Sequence, residues 1–211
     1  MIRSATTLLL ALALSVATLA TSSAGVPDPV NSTLPPCMVL CPMGDESFTV
    51  VVRDLASNPL SGVSVTLDYS GCPNAYLCDP LPSDPYTVDL VARTLTRTTD
   101  GTGTVVFPAR VGGTGPAGCA KVYASGVFLR SYALATPDQD SDGQVVLFIW
   151  NDQPLFTSKL GTADPTADFD CNGTVDAADQ LFMNNHGSHS CWGLVDPVRH
   201  RSWGSLKQHY R

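Results

Sequence analysis

The sequence predicts a mainly β protein, in which a β-sandwich is followed by a small α-helical pair of loop–helix units. Two observations predict it. Between residues 47 and 134, short segments alternate apolar and polar side chains, and turns rich in Gly, Asn and Asp separate them. Between residues 135 and 192, aspartates recur at alternate positions ahead of two short segments that end at glycine. Short strands at this spacing, without a convincing helix, are typical of a sandwich.

The first 24 residues predict a secretory signal peptide. Arg3 supplies the positive start, residues 8–20 form an apolar run, and Ser22-Ser23-Ala24 offers a small-residue cleavage site. The run is too short for a transmembrane helix, and its Thr and Ser residues lower its hydrophobicity further. We therefore expect a secreted, extracellular protein without stable membrane insertion after cleavage; a retained anchor is the alternative.

The acidic residues are unevenly distributed. The net charge of −7 argues against nucleic acid as a partner, because neutralising phosphates requires clustered Lys and Arg. Of the 19 acidic residues only Glu46 is a glutamate, and nine aspartates fall between Asp138 and Asp179, where Lys159 is the only base. So many carboxylates repel one another unless solvent or a cation neutralises them.

Seven cysteines in a secreted chain predict disulfides. They are Cys37, Cys41, Cys72, Cys78, Cys119, Cys171 and Cys191. Five lie before residue 120 and two after residue 170. If the halves are separate domains, Cys171 pairs with Cys191 and the front half keeps one unpaired thiol. The spacing leaves the connectivity of the front five open.

The front half begins with residues 25–46, a Pro- and Ser-rich segment that we expect to be an extended lead-in. The predicted strands of the sandwich are 48–53, 63–67, 86–92, 104–107, 121–124 and 127–134. Turns are expected at residues 58–62 and at Ser125-Gly126, and Asp100–Gly103 predicts a hairpin turn before the strand at 104–107.

Two of these segments carry a resemblance. Residues 58–65 read NPLSGVSV and residues 99–107 read TDGTGTVVF. Together they resemble bacterial Ig-like repeats of the invasin/intimin type and carboxypeptidase-regulatory-like domains, over residues 47–134. The resemblance implies an Ig-like β-sandwich that acts as a scaffold, and it implies no active site.

In the second half, residues 168–179 fit a twelve-residue calcium loop. Its candidate ligands supply oxygen at positions one, three, five, seven, nine and twelve: Asp168, Asp170, Asn172, Thr174, Asp176 and Asp179. Thr174 would use its backbone carbonyl and Asp176 a bridging water, while Gly173 permits the sharp turn and Val175 anchors the loop inward. Asp179 is shorter than the usual Glu, which makes bidentate closure harder. A solvated Asx turn without metal is the alternative.

An earlier copy of the loop lies thirty residues upstream. Asp138, Asp140, Asp142 and Gly143 match positions one, three, five and six, but position twelve is Ile149, which has no oxygen to offer. Downstream, Asp152 matches Asp179, as though three residues had been inserted at 148–150. Either the loop bulges to bring Asp152 in as a ligand, or this site is degraded.

Each loop precedes a segment that predicts a short helix, 152–160 ending at Gly161 and 179–186 ending at Gly187. This duplicated arrangement over residues 135–192, with Asp at position twelve, resembles dockerin type I repeats. The resemblance implies a calcium-dependent module that docks onto a cohesin-like partner in assemblies that degrade polysaccharides. It also implies that the partner contacts loop positions ten and eleven, Ala177 and Ala178.

Other chemistries are less well supported by the sequence. His186, His189, Cys191 and Cys171 are ligand types at a spacing that suits zinc, as an alternative to the Cys171–Cys191 disulfide. No G-x-S-x-G, H-E-x-x-H or phosphate-binding motif is present, so we expect no enzyme. Residues 193–211 predict a flexible basic tail.

Two functions follow from these expectations. In the first, Ca²⁺ neutralises the aspartates, orders the loops and creates a docking surface for the cohesin-like partner. In the second, Ca²⁺ rigidifies a structural or adhesive cell-surface protein that has no dedicated partner.

Overall fold

The computed structural model describes residues 25–147 and 151–192. The predicted signal peptide (1–24), residues 148–150 with Ile149, and the predicted tail (193–211) lie outside the described residues. The prediction of a mainly β protein is confirmed. The ten strands of the described part are β1 (Met38–Val39), β2 (Phe48–Val51), β3 (Ser64–Asp68), β4 (Tyr76–Leu77), β5 (Thr87–Asp89), β6 (Thr94–Thr98), β7 (Thr104–Phe107), β8 (Val111–Gly112), β9 (Gly115–Ala124) and β10 (Val127–Ala135).

Six of these strands form one mixed sheet, and four form two ribbons. The sheet has the order β1-β10-β9-β3-β6-β5. Strand β1 is parallel to β10, and every other pair of adjacent strands in this sheet is antiparallel. The ribbons are β2-β7 and β4-β8, both antiparallel. The predicted turn at Ser125-Gly126 joins β9 to β10 as a hairpin, in which Val127 is paired with Ala124.

The two-residue alternation in β2 explains how the first hydrophobic core forms. Phe48 and Val50 are buried while Thr49 is exposed, as a strand with one face toward the core requires. Phe48 packs edge-on against Tyr132 of β10, with ring centroids 5.5 Å apart. The β2-β7 ribbon therefore packs against β10 of the six-stranded sheet, and the first core draws on residues from Leu34 to Leu134.

The predicted hairpin at Asp100–Gly103 is wrong, although the turn itself is present. The Asp100 carboxylate accepts hydrogen bonds from the backbone N–H groups of Thr102 (2.8 Å) and Thr104 (3.0 Å), and Gly103 has φ +74°. The strands that flank the turn do not pair: β6 lies in the large sheet and β7 pairs with β2. The turn thus carries the chain from one sheet to the other. Strand β6 was not predicted, because Thr94–Thr98 is polar and Leu95 is its only fully buried side chain.

The predicted lead-in is part of the fold. Within residues 25–46, β1 pairs with the end of β10, where Met38 is opposite Leu134 and Val39 is opposite Ala135. Leu34, Met38 and Leu40 are buried in the first core. This pairing places the lead-in beside the point where the second half of the chain begins.

The second half contains two helices, α1 (Asp152–Thr157) and α2 (Ala177–Asn185). Compared with the predicted helices, α1 ends three residues earlier and α2 begins two residues earlier. They enclose a second hydrophobic core made of seven buried side chains: Ala135, Val145, Phe156, Ala167, Phe169, Val175 and Met183. No helix in the described part of the chain is long and apolar enough to cross a membrane.

The predicted Cys171–Cys191 disulfide is wrong. Cys171 is bonded to Cys37 and Cys191 to Cys78, while Cys72–Cys119 lies within the front half. The prediction required the halves to be separate domains, but β1 brings Cys37 to the second half, so two disulfides join the halves. The unpaired thiol expected in the front half is the buried Cys41. Three disulfides indicate an oxidising, extracellular setting.

Candidate functional site

The second aspartate loop holds its carboxylates in place with backbone N–H groups. Asp168 accepts hydrogen bonds from Asn172 N (3.1 Å) and Gly173 N (2.8 Å). Asp179 accepts them from the backbone of residues 169 and 170 through one oxygen and from Asp176 N through the other. As a result, one oxygen each of Asp168, Asp170 and Asp179 lie within 4.8 Å of one another. This group could hold a metal ion.

Local sequence explains this geometry. Cys171 (φ +63°) and Gly173 (φ +90°) both adopt the left-handed conformation that curls the chain around the carboxylates. Asp176 then caps α2, because its side chain accepts a hydrogen bond from Ala178 N, and Asp179 completes a capping box. The carboxylate of Asp176 at position nine is thereby engaged with the helix, outside the three-residue group.

The first loop has the same geometry, and it includes Asp152. Asp138 accepts hydrogen bonds from Asp142 N (3.1 Å) and Gly143 N (3.0 Å), as Asp168 does from its own loop. Asp152 accepts them from Gln139 N (2.5 Å) and Asp140 N (3.1 Å) through one oxygen and from Val146 N through the other. The oxygens of Asp138, Asp140 and Asp152 lie within 4.8 Å of one another.

The two copies therefore match with two different offsets. Asp138 corresponds to Asp168, thirty residues later, whereas Asp152 corresponds to Asp179, twenty-seven residues later. Three extra residues lie between Val145 and Asp152, and the first loop accommodates them without losing its last carboxylate. The structure places Asp152 beside Asp138 and Asp140, as the alternative with Asp152 as a ligand requires; that it binds a metal stays a prediction.

The two units also pair with each other reciprocally. Val175 of the second loop exchanges backbone hydrogen bonds with Gly161 and Thr162, which follow α1. Val145 of the first loop exchanges them with Ser188 and His189, which follow α2. Each loop is thus hydrogen-bonded to the segment after the other loop's helix.

Burial makes the first loop electrostatically unfavourable without a cation. The side chains of Asp138 and Asp152 are fully buried. Burial, reinforced by the charge of Asp152, raises the pKa of Asp138 to about 8. Burial, reinforced by the charge of Asp140, raises the pKa of Asp152 to about 7. A bound cation would favour the charged forms of both groups.

The first loop also contacts the front half directly. Asp138 Oδ2 accepts a hydrogen bond from Gly113 N (2.9 Å), just after β8. A side chain at Gly112 would collide with the same oxygen. The position-one carboxylate is therefore shared between its own loop and the β half.

The remaining predicted site residues lie outside the two carboxylate groups. Asp142 and Asn172, at position five, accept hydrogen bonds from Gln144 N and Thr174 N within their loops. Ala177 and Ala178 are exposed on the first turn of α2. These positions stay available to a ligand or a partner.

A further cluster was not predicted as a set. The zinc alternative grouped His186 and His189 with two cysteines, but Cys171 and Cys191 are both in disulfides. The two histidines instead meet Cys41 and Asp45, and one ligand atom from each of the four lies within 4.8 Å of the others. No motif spacing could have found this set, because 148 residues separate Cys41 from His189.

Comparison with known proteins identifies no relative: no family model, no curated protein and no solved structure matches this chain.

Proposed function

We propose that this chain is a secreted, non-catalytic protein that binds two calcium ions. The observation that supports it best is the duplication of the carboxylate geometry. Asp138, Asp140 and Asp152 repeat the arrangement of Asp168, Asp170 and Asp179, despite the three extra residues in the first loop. In this proposal the front half is an Ig-like scaffold and residues 135–192 form a dockerin-like pair.

The chemistry of the two groups suits calcium among the biological cations. Ca²⁺ takes six to eight oxygen ligands in a flexible geometry, and carboxylates with backbone carbonyls and water supply them. Three carboxylates that face one another without a cation repel. Ca²⁺ binding removes that repulsion, and because the unfolded chain has no such site, the binding free energy stabilises the folded loops.

The calcium-ordered pair would then serve as a docking surface for a cohesin-like partner, in an assembly that degrades polysaccharides. The exposed side of α2 supports this role. Ala177 and Ala178 are exposed, and one turn further on Leu181 is 61% exposed. Small side chains next to a protruding leucine allow close approach of an apolar partner surface.

A second candidate function is a calcium-rigidified structural or adhesive protein of the cell surface without a cohesin partner. The disulfides favour it. Cys37–Cys171 fixes the second loop to the lead-in, and Cys78–Cys191 fixes the end of the second half to the β half. A unit attached in this way contributes to the stiffness of the whole chain.

Calorimetric Ca²⁺ titration of the full chain tests the shared proposal. We expect two sites in the parent protein and one in each of the variants Asp138→Ala and Asp168→Ala. Asp89→Asn is the matched control, because Asp89 is exposed in β5, an edge strand of the large sheet, and its carboxylate accepts hydrogen bonds from Val91 N and Ala92 N; this variant should retain two sites. Extracellular calcium-binding modules have dissociation constants up to about 1 mM. Absence of binding at several millimolar Ca²⁺ would therefore overturn the proposal.

Capture experiments distinguish the two functions. A cohesin domain immobilised on resin should retain the parent chain in Ca²⁺ and release it in chelator. The variant Leu181→Glu should bind calcium normally and lose capture, because it places a charge on the proposed contact surface. Calcium binding without capture of the parent chain would leave the structural function as the supported one.

A further inference from the structure

The cluster of Cys41, Asp45, His186 and His189 lies between the two halves. Cys41 and Asp45 belong to the segment between β1 and β2, and the histidines follow α2. Cys41 is fully buried, and the side chains of His186 and His189 are 9% and 13% exposed. The side chain of Asp45 is 39% exposed, so thiol, imidazole and carboxylate groups converge at a site that is buried around Cys41 and opens to solvent at Asp45; the carboxylate loops do not include this site.

Three distances between ligand atoms of the cluster are close to the edges of a zinc coordination tetrahedron. Cys41 Sγ lies 3.3 Å from His189 Nδ1, and Asp45 Oδ2 lies 3.2 Å from the same nitrogen and 3.6 Å from His186 Nε2. A zinc ion with Zn–N and Zn–O bonds of about 2.0–2.1 Å and a Zn–S bond of about 2.3 Å separates its ligand atoms by about 3.3–3.6 Å. The other separations between the four ligand atoms are at most 4.8 Å.

The orientation of His186 is fixed from its other side. Its Nδ1 lies 2.8 Å from the carbonyl oxygen of Phe182, and only a protonated Nδ1 can donate to that oxygen. The Nε2 atom then points at the carboxylates of Asp45 (3.6 Å) and Glu46 (3.2 Å). A backbone carbonyl that orients the non-ligating nitrogen is the usual support of a metal-bound histidine.

We propose that Cys41, Asp45, His186 and His189 form a closed, structural zinc site that joins the β half to the end of α2. One sulfur, two imidazole nitrogens and one carboxylate oxygen complete a tetrahedral shell, the coordination typical of structural Zn²⁺. Asp45 rather than Glu46 supplies the oxygen, because Asp45 Oδ2 contacts both histidines whereas Glu46 contacts only His186.

The zinc site and the two calcium loops differ in chemistry and share no ligand. A soft thiolate with imidazoles selects zinc over calcium, and all-oxygen loops select calcium. They are nevertheless linked through the backbone, since His189 O accepts the hydrogen bond of Val145 N in the first loop. The proposed zinc ligand His189 therefore takes part in the reciprocal pairing of the two units.

Cobalt substitution tests the proposal in the full, disulfide-bonded chain, in oxygen-free buffer with Ca²⁺ in excess to fill the loops. One equivalent of Co²⁺ should produce the intense visible bands of a tetrahedral ion and a thiolate charge-transfer band in the near ultraviolet, and Zn²⁺ should displace it. Cys41→Ser should lose the charge-transfer band. Asp45→Asn should weaken binding at least tenfold, and Glu46→Gln, which removes the same charge, should weaken it less.

Two results would overturn the proposal. One is an absence of stoichiometric Co²⁺ and Zn²⁺ binding, because the cluster is then only a polar contact network of the two histidines with Asp45 and Glu46. The other is a weak octahedral spectrum that Cys41→Ser leaves unchanged. Since Cys41 is buried and its replacement could impair folding, His189→Ala provides the second variant, and thermal melting should show that zinc raises the midpoint of the parent chain but not of this variant.

Discussion

Asp152 occupies in the first loop the place that Asp179 occupies in the second. Each carboxylate accepts two consecutive backbone N–H groups through one oxygen, those of residues 139 and 140 for Asp152 and of residues 169 and 170 for Asp179. Asp152 is the first residue of α1, and Asp179 lies in the first turn of α2. The two carboxylates are equivalent although Asp179 lies at loop position twelve and Asp152 at loop position fifteen.

This equivalence predicts that Asp152 is a ligand of the first calcium ion. Asp152→Ala should reduce the calcium stoichiometry from two to one and leave the second site intact, because it removes the last carboxylate of the first loop only. Calorimetric titration measures this directly. Asp142→Ala is the comparison: its carboxylate lies outside the close group, so we expect weakened binding at the first loop without its loss. Two unchanged sites in Asp152→Ala would show that the first loop uses other ligands.

The buried carboxylates of the first loop predict an unusual pH dependence. The pKa values of Asp138 (about 8) and Asp152 (about 7) lie well above the ordinary value of 3.8. Between about pH 4 and pH 8 these two carboxyl groups therefore hold more protons in the folded, cation-free protein than in the unfolded chain. The free energy of unfolding in chelator should consequently fall as the pH rises through this range.

Calcium should reverse this contribution, because it binds the charged forms. Urea unfolding in chelator and in millimolar Ca²⁺, at pH 5 and pH 8, measures both effects. We expect the calcium-induced stabilisation to be larger at pH 8 than at pH 5. The variant Asp138→Asn should flatten the slope in chelator, and an unchanged slope would place the titration elsewhere in the molecule.

The sequence predicted the local features of this protein and missed those that depend on distant parts of the chain. The loop at 168–179 follows from the spacing of residues that lie next to one another, and so does the alternation in β2. The Cys37–Cys171 disulfide and the position of Cys41 beside His189 depend on the pairing of β1 with β10, which two residues of a Pro- and Ser-rich segment do not signal. The role of Asp152 lies between these cases, because its match to Asp179 was visible and the path of the loop was not.

The disulfide between Cys37 and Cys171 should support calcium binding as well as stability. Cys171 lies within the second loop, and its sequence separation from Cys37 is 134 residues. On the chain-entropy model, closing a loop of this length stabilises the fold by about 4–5 kcal/mol as an upper figure. The double variant Cys37→Ser/Cys171→Ser should therefore lower both the free energy of unfolding and the calcium affinity of the second loop.

The control for this prediction is the disulfide between Cys72 and Cys119, which lies within the front half and includes no residue of either loop. Its removal should destabilise the fold without changing the calcium affinity of the folded protein. Unfolding by urea and calcium titration below the unfolding transition separate the two effects. Equal calcium affinities in both double variants would contradict a role for Cys171 in ordering the loop.

The last prediction concerns the aromatic contact between the two units. Phe156 of α1 is fully buried and stacks on Phe169 of the second loop, with ring centroids 5.8 Å apart. Phe156→Ala should cost about 3–5 kcal/mol, the range for removing a buried phenylalanine. It should also weaken calcium binding at the second loop, because Phe169 loses its packing partner although the ligands of that loop are unchanged.

The control is the neighbouring Leu155, which is 43% exposed. Leu155→Ala should cost about 0.5 kcal/mol, as is usual for a surface substitution, and should leave both calcium sites intact. Urea unfolding with calcium titration measures both outcomes, and an unaffected second site in Phe156→Ala would mean that each loop is ordered by its own unit alone.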